Sequence, residues 1–375
     1  MLVCVLLLSR LTSWSVCCMS HLITSIDEVT PAWLTAVLQR HGCYTHTVQR
    51  IHITHTHDEQ LHSISYHFQA QWPPDAPATL PTRFFLKLPR RQDDEGSISP
   101  GAREVEMYQF LATHQSLPSI PCYDACYDVQ QRRYHLLLAD VSHSHDQPTW
   151  HLAIGEKYVQ RTVDCLAQLH AYWWDRTALC QSIATLPTPA QVASDIQRVQ
   201  AVLPHFLAAV GAQLVPEERQ FYEQLVTAAP SLWARRLNPQ HSTLVHGDAH
   251  FWNFLYPHTD CALPTYILDW QQQHIDWGVS DLAYMLVLRY PHRTPANEYM
   301  LVRRYHAALL QHDVTNYGWD QCWTDYRRAV VEQALVPILW FASELPDALW
   351  QLFVPRTLAA YRELNCAEFI NQPYT

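Results

Sequence analysis

The chain has 375 residues, 48% of them apolar, which leaves room for one large two-lobed unit or two domains around a substantial core. Its formal charge of −10, with no basic tract, withholds the phosphate-neutralising term that a nucleic-acid partner requires. The 11 cysteines are dispersed and odd in number, and Cys122 and Cys126 have no second pair at zinc-finger spacing, so a reduced, cytoplasmic protein is expected rather than a disulfide scaffold.

In chain order, Leu2 to Leu8 is an apolar run without a positive flank and far short of the ~20 residues that span a bilayer. Residues 1–19 are read as an uninformative extension with Met19 as the functional start, and no membrane partner is expected. Thr30 and Pro31 open a helix as N-cap and first residue, and Gly42 ends it. Ile51 and Ile53 begin a strand, and Ile64, Tyr66 and Phe68 alternate with polar residues in a second. The connecting loop, His55 to His62, contains no glycine, and the chain has no Walker A motif. His52, His55, His57, His62 and His67 crowd this region, but their spacing fits no metallohydrolase pattern, so they read as polar side chains of an exposed hairpin.

Beyond a proline-rich connector, Pro73 to Pro81, a strand from Arg83 to Leu88 carries Lys87, one of only two lysines in the chain. A lysine in an apolar strand offers a compact point charge where arginine would offer a wide fork. A polar linker from Arg90 to Pro100 precedes a helix over Ala102 to Leu111, with Val105, Tyr108 and Leu111 on one face. Pro121 to Val129 and Tyr134 to Leu138 form a hairpin, and a long helix runs from Ile154 to Trp174. Helices over Val192 to Leu203 and Glu217 to Ala228 are expected to stop at Pro204 and Pro230. Glu298 to Gln311 and Asp320 to Glu344 are helical, the second kinked or broken at Pro337.

The chemistry-bearing stretch is Leu244 to Asn253, followed by Tyr266 to Trp270. Short apolar runs deliver Asp248 with Asn253, then Asp269, and the segments between them read as a small hairpin that returns Asp269 to Asn253. Phosphoryl transfer from a metal-nucleotide uses one carboxylate to orient the attacking hydroxyl, and an amide plus a second carboxylate to hold Mg²⁺. The five-residue step from Asp248 to Asn253 matches that of the kinase catalytic loop.

At these residues the chain resembles a known family. His246-Gly-Asp-Ala-His250 with Asn253 is similar to the HGDxHxxN signature of the aminoglycoside phosphotransferase and choline kinase superfamily. Ile267-Leu-Asp-Trp-Gln271, Gly278 and Asp281-Leu-Ala-Tyr284 resemble the IDWQ…G…DLAY segment of its ecdysteroid kinase-like branch, and the resemblance runs from about Ser20 to Glu344. It implies Asp248 as catalytic base, Asn253 and Asp269 as metal ligands, and Lys87 on the α/β-phosphates. Glu104 is implied as the partner of Lys87, with Glu106 as the alternative. Leu138, Ala139 and Asp140 become a hinge whose backbone meets adenine, although Ala139 replaces the family's usual glutamate. The glycine-free loop departs from kinase patterns and leaves the phosphate-covering contacts unassigned. His246 and His250 are read as bracing the catalytic loop, with contact to the γ-phosphate as the alternative, Asp281 as holding that loop by N-capping its helix, and His170 as packing.

The resulting expectation is an α+β, bilobal protein-kinase-like fold. Residues 20–138 form a small antiparallel-sheet nucleotide-binding lobe, and residues 139–375 form a mostly helical lobe with the catalytic loop. The expected activity is ATP- and Mg²⁺-dependent phosphorylation of a small hydroxylated molecule. A catalytically inactive nucleotide- or ligand-binding relative of the same fold is the alternative, and ATP turnover separates the two.

Overall fold

The computed structural model describes residues 21–40, 45–58, 63–90, 99–114, 117–149, 154–181, 183–184, 186–238, 240–259 and 263–371. The N-terminal extension, the helix stop at Gly42, most of the 90–100 linker and part of the 55–62 loop lie outside them. The chain divides into two compact units, residues 1–113 with 120–143 and residues 114–119 with 144–375.

The first unit holds helix α1 (Pro31–Arg40), strands β1 (Arg50–His57), β2 (Ser63–Gln71) and β3 (Arg83–Pro89), helix α2 (Pro100–Ala112), and strands β4 (Cys122–Asp128) and β5 (Arg133–Ala139). The strands form one antiparallel sheet in the order β1-β2-β3-β5-β4. Thr30 caps α1, its Oγ1 accepting the Trp33 N–H at 3.1 Å. Leu34, Val37 and Leu38 of that helix share a core with Phe68, Phe84, Leu86 and Leu137, which alternate onto one face of the sheet. Each such burial contributes about 1.5–3 kcal/mol. Phe85 and Lys87 point to the opposite face. Ser99 caps α2, which packs against β4 and β5.

The second unit is mostly helical. It runs through β6 (His145–Asp146), α3 (Glu156–Trp173), α4 (Thr177–Cys180), α5 (Pro189–Val210), α6 (Pro216–Ala234), β7 (Ser242–Val245), β8 (Phe254–Pro257), β9 (Tyr266–Ile267) and β10 (His274–Trp277). It continues with α7 (Val279–Ala283), a π-helical stretch over Tyr284–Arg289, α8 (Pro295–Gln311), α9 (Trp319–Gln333), α10 (Val336–Ala342), α11 (Asp347–Trp350), α12 (Phe353–Glu363) and α13 (Glu368–Asn371). β7 pairs with β10, and β8 lies between β6 and β9, all antiparallel. Thus the α+β, kinase-like expectation holds: a five-stranded antiparallel sheet in one unit and a helical second unit.

Two expected stops do not stop. α5 continues through Pro204 and α6 through Pro230. An interior proline costs a helix about 3 kcal/mol. Phe206, Leu207 and Val210 beyond the first, and Leu232 and Trp233 beyond the second, are buried, and that packing offsets the local penalty. At Pro337 the break does occur, with α9 ending at Gln333 and Pro337 sitting in the first turn of α10. Among the described residues no helix is long and apolar enough to cross a membrane.

Candidate active site

Within the first unit, β3 aims Lys87 at α2. Its Nζ donates to both carboxylate oxygens of Glu104, at 2.9 and 2.8 Å, with the Lys87 side chain 14% exposed and Glu104 1%. A buried carboxylate requires such a partner, since desolvation without one is costly. Glu106, two residues further along, lies on the exposed side of the helix. Leu138 and Ala139 end β5. The Ala139 N–H is used by Pro121 O at 2.9 Å and that of Asp140 by Arg83 O at 3.2 Å, so these two amides are spent inside the sheet. The Asp140 carboxylate accepts from His67 Nδ1 at 3.2 Å and from the Ser142 N–H at 2.9 Å. Burial alone would raise its pKa, but those hydrogen bonds hold it well below the usual carboxylate range.

In the second unit, β7 delivers the loop that begins at His246. Gly247 takes φ +81°, and a Cβ there would lie 2.2 Å from Gln272 O, so the turn admits only glycine. The loop ends at Asn253, directly before β8. The β8–β9 ladder then carries Leu268 back, its N–H donating to Asn253 O at 2.8 Å, so Asp269 follows beside Asn253. Asp269 has φ +61°, a left-handed backbone that Asp tolerates better than most residues. Asn253 Nδ2 donates to Asp248 O at 2.9 Å and lies 3.4 Å from Asp248 Oδ2. The three residues that spacing singled out therefore meet at one hairpin.

His246 ties the two segments together. Its Nδ1 accepts the Asp248 N–H at 3.2 Å, which leaves Nε2–H to donate to Leu268 O at 2.7 Å. Asp281 does not cap its own helix. Its carboxylate accepts the backbone N–H of His246 at 2.7 Å and of Gly247 at 2.9 Å, holding the loop directly. His170 does more than pack, since its Nε2 donates to Asp281 at 3.2 Å while Tyr305 OH meets its Nδ1 at 2.8 Å. Burial opposes ionisation of Asp281, yet the His170 hydrogen bond and the charge and amides around it keep its pKa lowered.

Asp248 itself is encircled by donors. Tyr284 OH donates to Oδ1 at 2.6 Å, and His250 Nε2 lies 3.3 Å from Oδ2. Desolvation would raise this carboxyl, but the contacts with His250 and Tyr284 press it far below its ordinary value. Tyr284 in turn accepts from Arg289 at 2.8 Å, and burial and the Asp248 charge keep its phenol a donor by raising its pKa. Sequence reasoning named Tyr284 only as part of the DLAY-like segment, without a role, and did not find Arg289; both lie on the π-helical stretch, an irregularity that often marks functional sites. Asp276 is bound with Glu332 to the buried Arg235 guanidinium. Against its burial, that charge draws its pKa down to about 2.

The donor set suits a hard cation: one carboxylate at Asp269 and one amide at Asn253 whose nitrogen already serves Asp248, which leaves the carbonyl oxygen for coordination. Among the described residues no group of three or more His, Cys, Asp or Glu is arranged to hold a metal.

No curated protein matches the sequence. The structure is similar to that of a Ralstonia eutropha JMP134 protein described as an aminoglycoside phosphotransferase, with 14% identity and TM-score 0.51 over 91% of this chain and 98% of that one. It is also similar to Plasmodium vivax ethanolamine kinase, with 11% identity and TM-score 0.52 over 83% of this chain and 81% of that one. At such identities the likeness establishes the fold. Residues 75–322 match the phosphotransferase enzyme family, a span of more than half the chain that includes the Lys87–Glu104 pair and the whole Asp248–Asp281 loop system. The chain belongs to the phosphotransferase enzyme family.

Proposed function

We propose that this protein is an ATP- and Mg²⁺-dependent kinase of the ecdysteroid kinase-like branch that phosphorylates a hydroxyl of a small organic molecule. The observation that carries this reading is the hairpin on which Asp248, Asn253 and Asp269 meet, with Asn253 bonded to Asp248 O at 2.9 Å and to Leu268 N at 2.8 Å. Asn253 and Asp269 would hold Mg²⁺, which when bound supplies charge to neutralise the phosphate oxygens. Asp248 orients the acceptor hydroxyl and takes its proton as the acceptor oxygen bonds to the γ-phosphorus and the bond to the β–γ bridging oxygen breaks. With its pKa so low, Asp248 works chiefly as an oriented acceptor and only weakly as a base. Lys87, fixed by Glu104, steadies the phosphates, and Leu138 to Asp140 offer backbone to adenine, through carbonyls where the amides are spent.

Trp252, Tyr284, Trp340 and Phe353 surround the Arg289 guanidinium that backs Asp248, which favours an acceptor with an apolar body over a polycationic one. The test is γ-phosphate transfer to a panel of hydroxylated small molecules. Asp248→Asn is expected to lose about 10²–10⁴-fold in rate while ATP still binds. Full activity in that variant would remove the mechanism, and nucleotide binding without turnover on any acceptor would favour the inactive relative.

A further inference from the structure

The glycine-free hairpin raises the question of what meets the nucleotide's phosphates in place of loop amides. Strand register answers it within the first unit. Residues directly opposite in an antiparallel sheet share a face. His57 is paired with Ser65, Ser65 with Lys87, and Lys87 with Leu136; beside this row His55 is paired with His67, His67 with Phe85, and Phe85 with Leu138. Two rows therefore cross the Lys87 face of the sheet. The second ends at the hinge residue Leu138 and is aromatic, the His67 and Phe85 ring centroids lying 5.1 Å apart. The first is polar as far as the lysine, beyond which lies Leu136.

The imidazoles are gathered as well as aligned. Ring centroids are 4.2 Å apart for His55 and His57, 5.3 Å for His57 and His67, and 6.3 Å for His55 and His67. Between His57 and Lys87 sits Ser65, 1% exposed, whose Oγ is buried without a hydrogen-bond partner among the described residues. A buried hydroxyl left unpaired is costly, so its place between an imidazole and an ammonium points to a bound acceptor group.

We propose that the row His57–Ser65–Lys87, flanked by His55 and His67, seats the nucleotide's phosphates, and that nucleotide binding there takes up protons on the histidine cluster. This rests on the nucleotide-dependent reading above. Imidazole is the side chain that gains charge in the physiological pH range. A polyphosphate bound against three gathered rings favours the charged form of imidazole. The other charged groups facing the cluster are Asp140 and Arg83 beside His67, Asp58 just after β1 with Arg90 just after β3, and Glu104 from α2, which is committed to Lys87. Of these, Arg90 is bound to Asp58, Glu104 to Lys87 and Asp140 to His67.

The experiment is calorimetric titration of ADP with Mg²⁺ into the full chain between pH 6 and 8, in buffers of different ionisation enthalpy. The expected result is net proton uptake and affinity that falls as pH rises, by up to about tenfold per pH unit for each proton linked. His55 and His57 are exposed, so the double variant His55→Asn/His57→Asn retains the fold; it is expected to bind with little pH dependence. Ser65→Ala is expected to weaken ADP binding severalfold with thermal stability unchanged or raised, which a purely structural hydroxyl would not do. Affinity flat with pH in the wild type, or a slope unchanged in the double variant, overturns the proposal while nucleotide binding stands. Absence of ADP binding at every pH overturns the nucleotide-dependent reading, and this proposal with it.

Discussion

Asp248 is a carboxylate that its neighbours keep ionised and aimed. Tyr284 holds Oδ1 at 2.6 Å, and Arg289 holds Tyr284 at 2.8 Å, so the relay fixes the rotamer from behind. A hydrogen bond to a charged group contributes about 1.5–3 kcal/mol. Tyr284→Phe should therefore lower kcat by about one to two orders of magnitude with the KM for ATP nearly unchanged, in steady-state assays. A loss confined to KM would assign Tyr284 to binding instead. The sequence displayed Asp248, Asn253 and Asp269 because their chemistry depends on spacing along the chain. It hid the tyrosine–arginine relay and the His170–Asp281 contact because those depend on fold. His170 and Asp281 are 111 residues apart, and nothing in a helical apolar pattern distinguishes a packed histidine from a hydrogen-bonded one.

Among the elements, the β8–β9 hairpin was legible because two apolar runs flank a turn and the return places Asp269 beside Asn253. The helices across Pro204 and Pro230 were not. Local rules price proline correctly, but burial of Phe206, Val210 and Trp233 further along the same helices outweighs them. Pro204 is itself exposed, so its penalty is uncompensated at its own position. Pro204→Ala should stabilise the protein by about 1–2 kcal/mol, the helix gain less the entropy returned to the unfolded chain, with kinase activity unaltered. Denaturant unfolding checks this, and a destabilised variant would show that the helix needs its proline-shaped irregularity.

For the whole molecule, the acid limb of stability follows from carboxylates held below their unfolded values. Asp248 and Asp281 both have lowered pKa in the fold. Their contribution is fully present above the unfolded value of about 3.9 and is lost as pH falls through the folded value. Melting temperature should thus drop steeply below about pH 4. Asp281→Asn should be less stable than the wild type near neutrality, with the gap narrowing as acid is added. A gap constant with pH would mean that Asp281 acts without its charge. For the same reason no loss of activity between about pH 5 and 8 should trace to Asp248.

The hairpin joining Asp248, Asn253 and Asp269 is proposed to hold the metal of a metal-nucleotide. This is tested most directly by titrating ATP into the wild type and Asp269→Asn, each with and without Mg²⁺; asparagine also tolerates the left-handed backbone at this position. Wild-type binding should tighten with Mg²⁺, and the variant should bind with the metal no better than without it. Equal tightening by Mg²⁺ in both proteins would contradict the account.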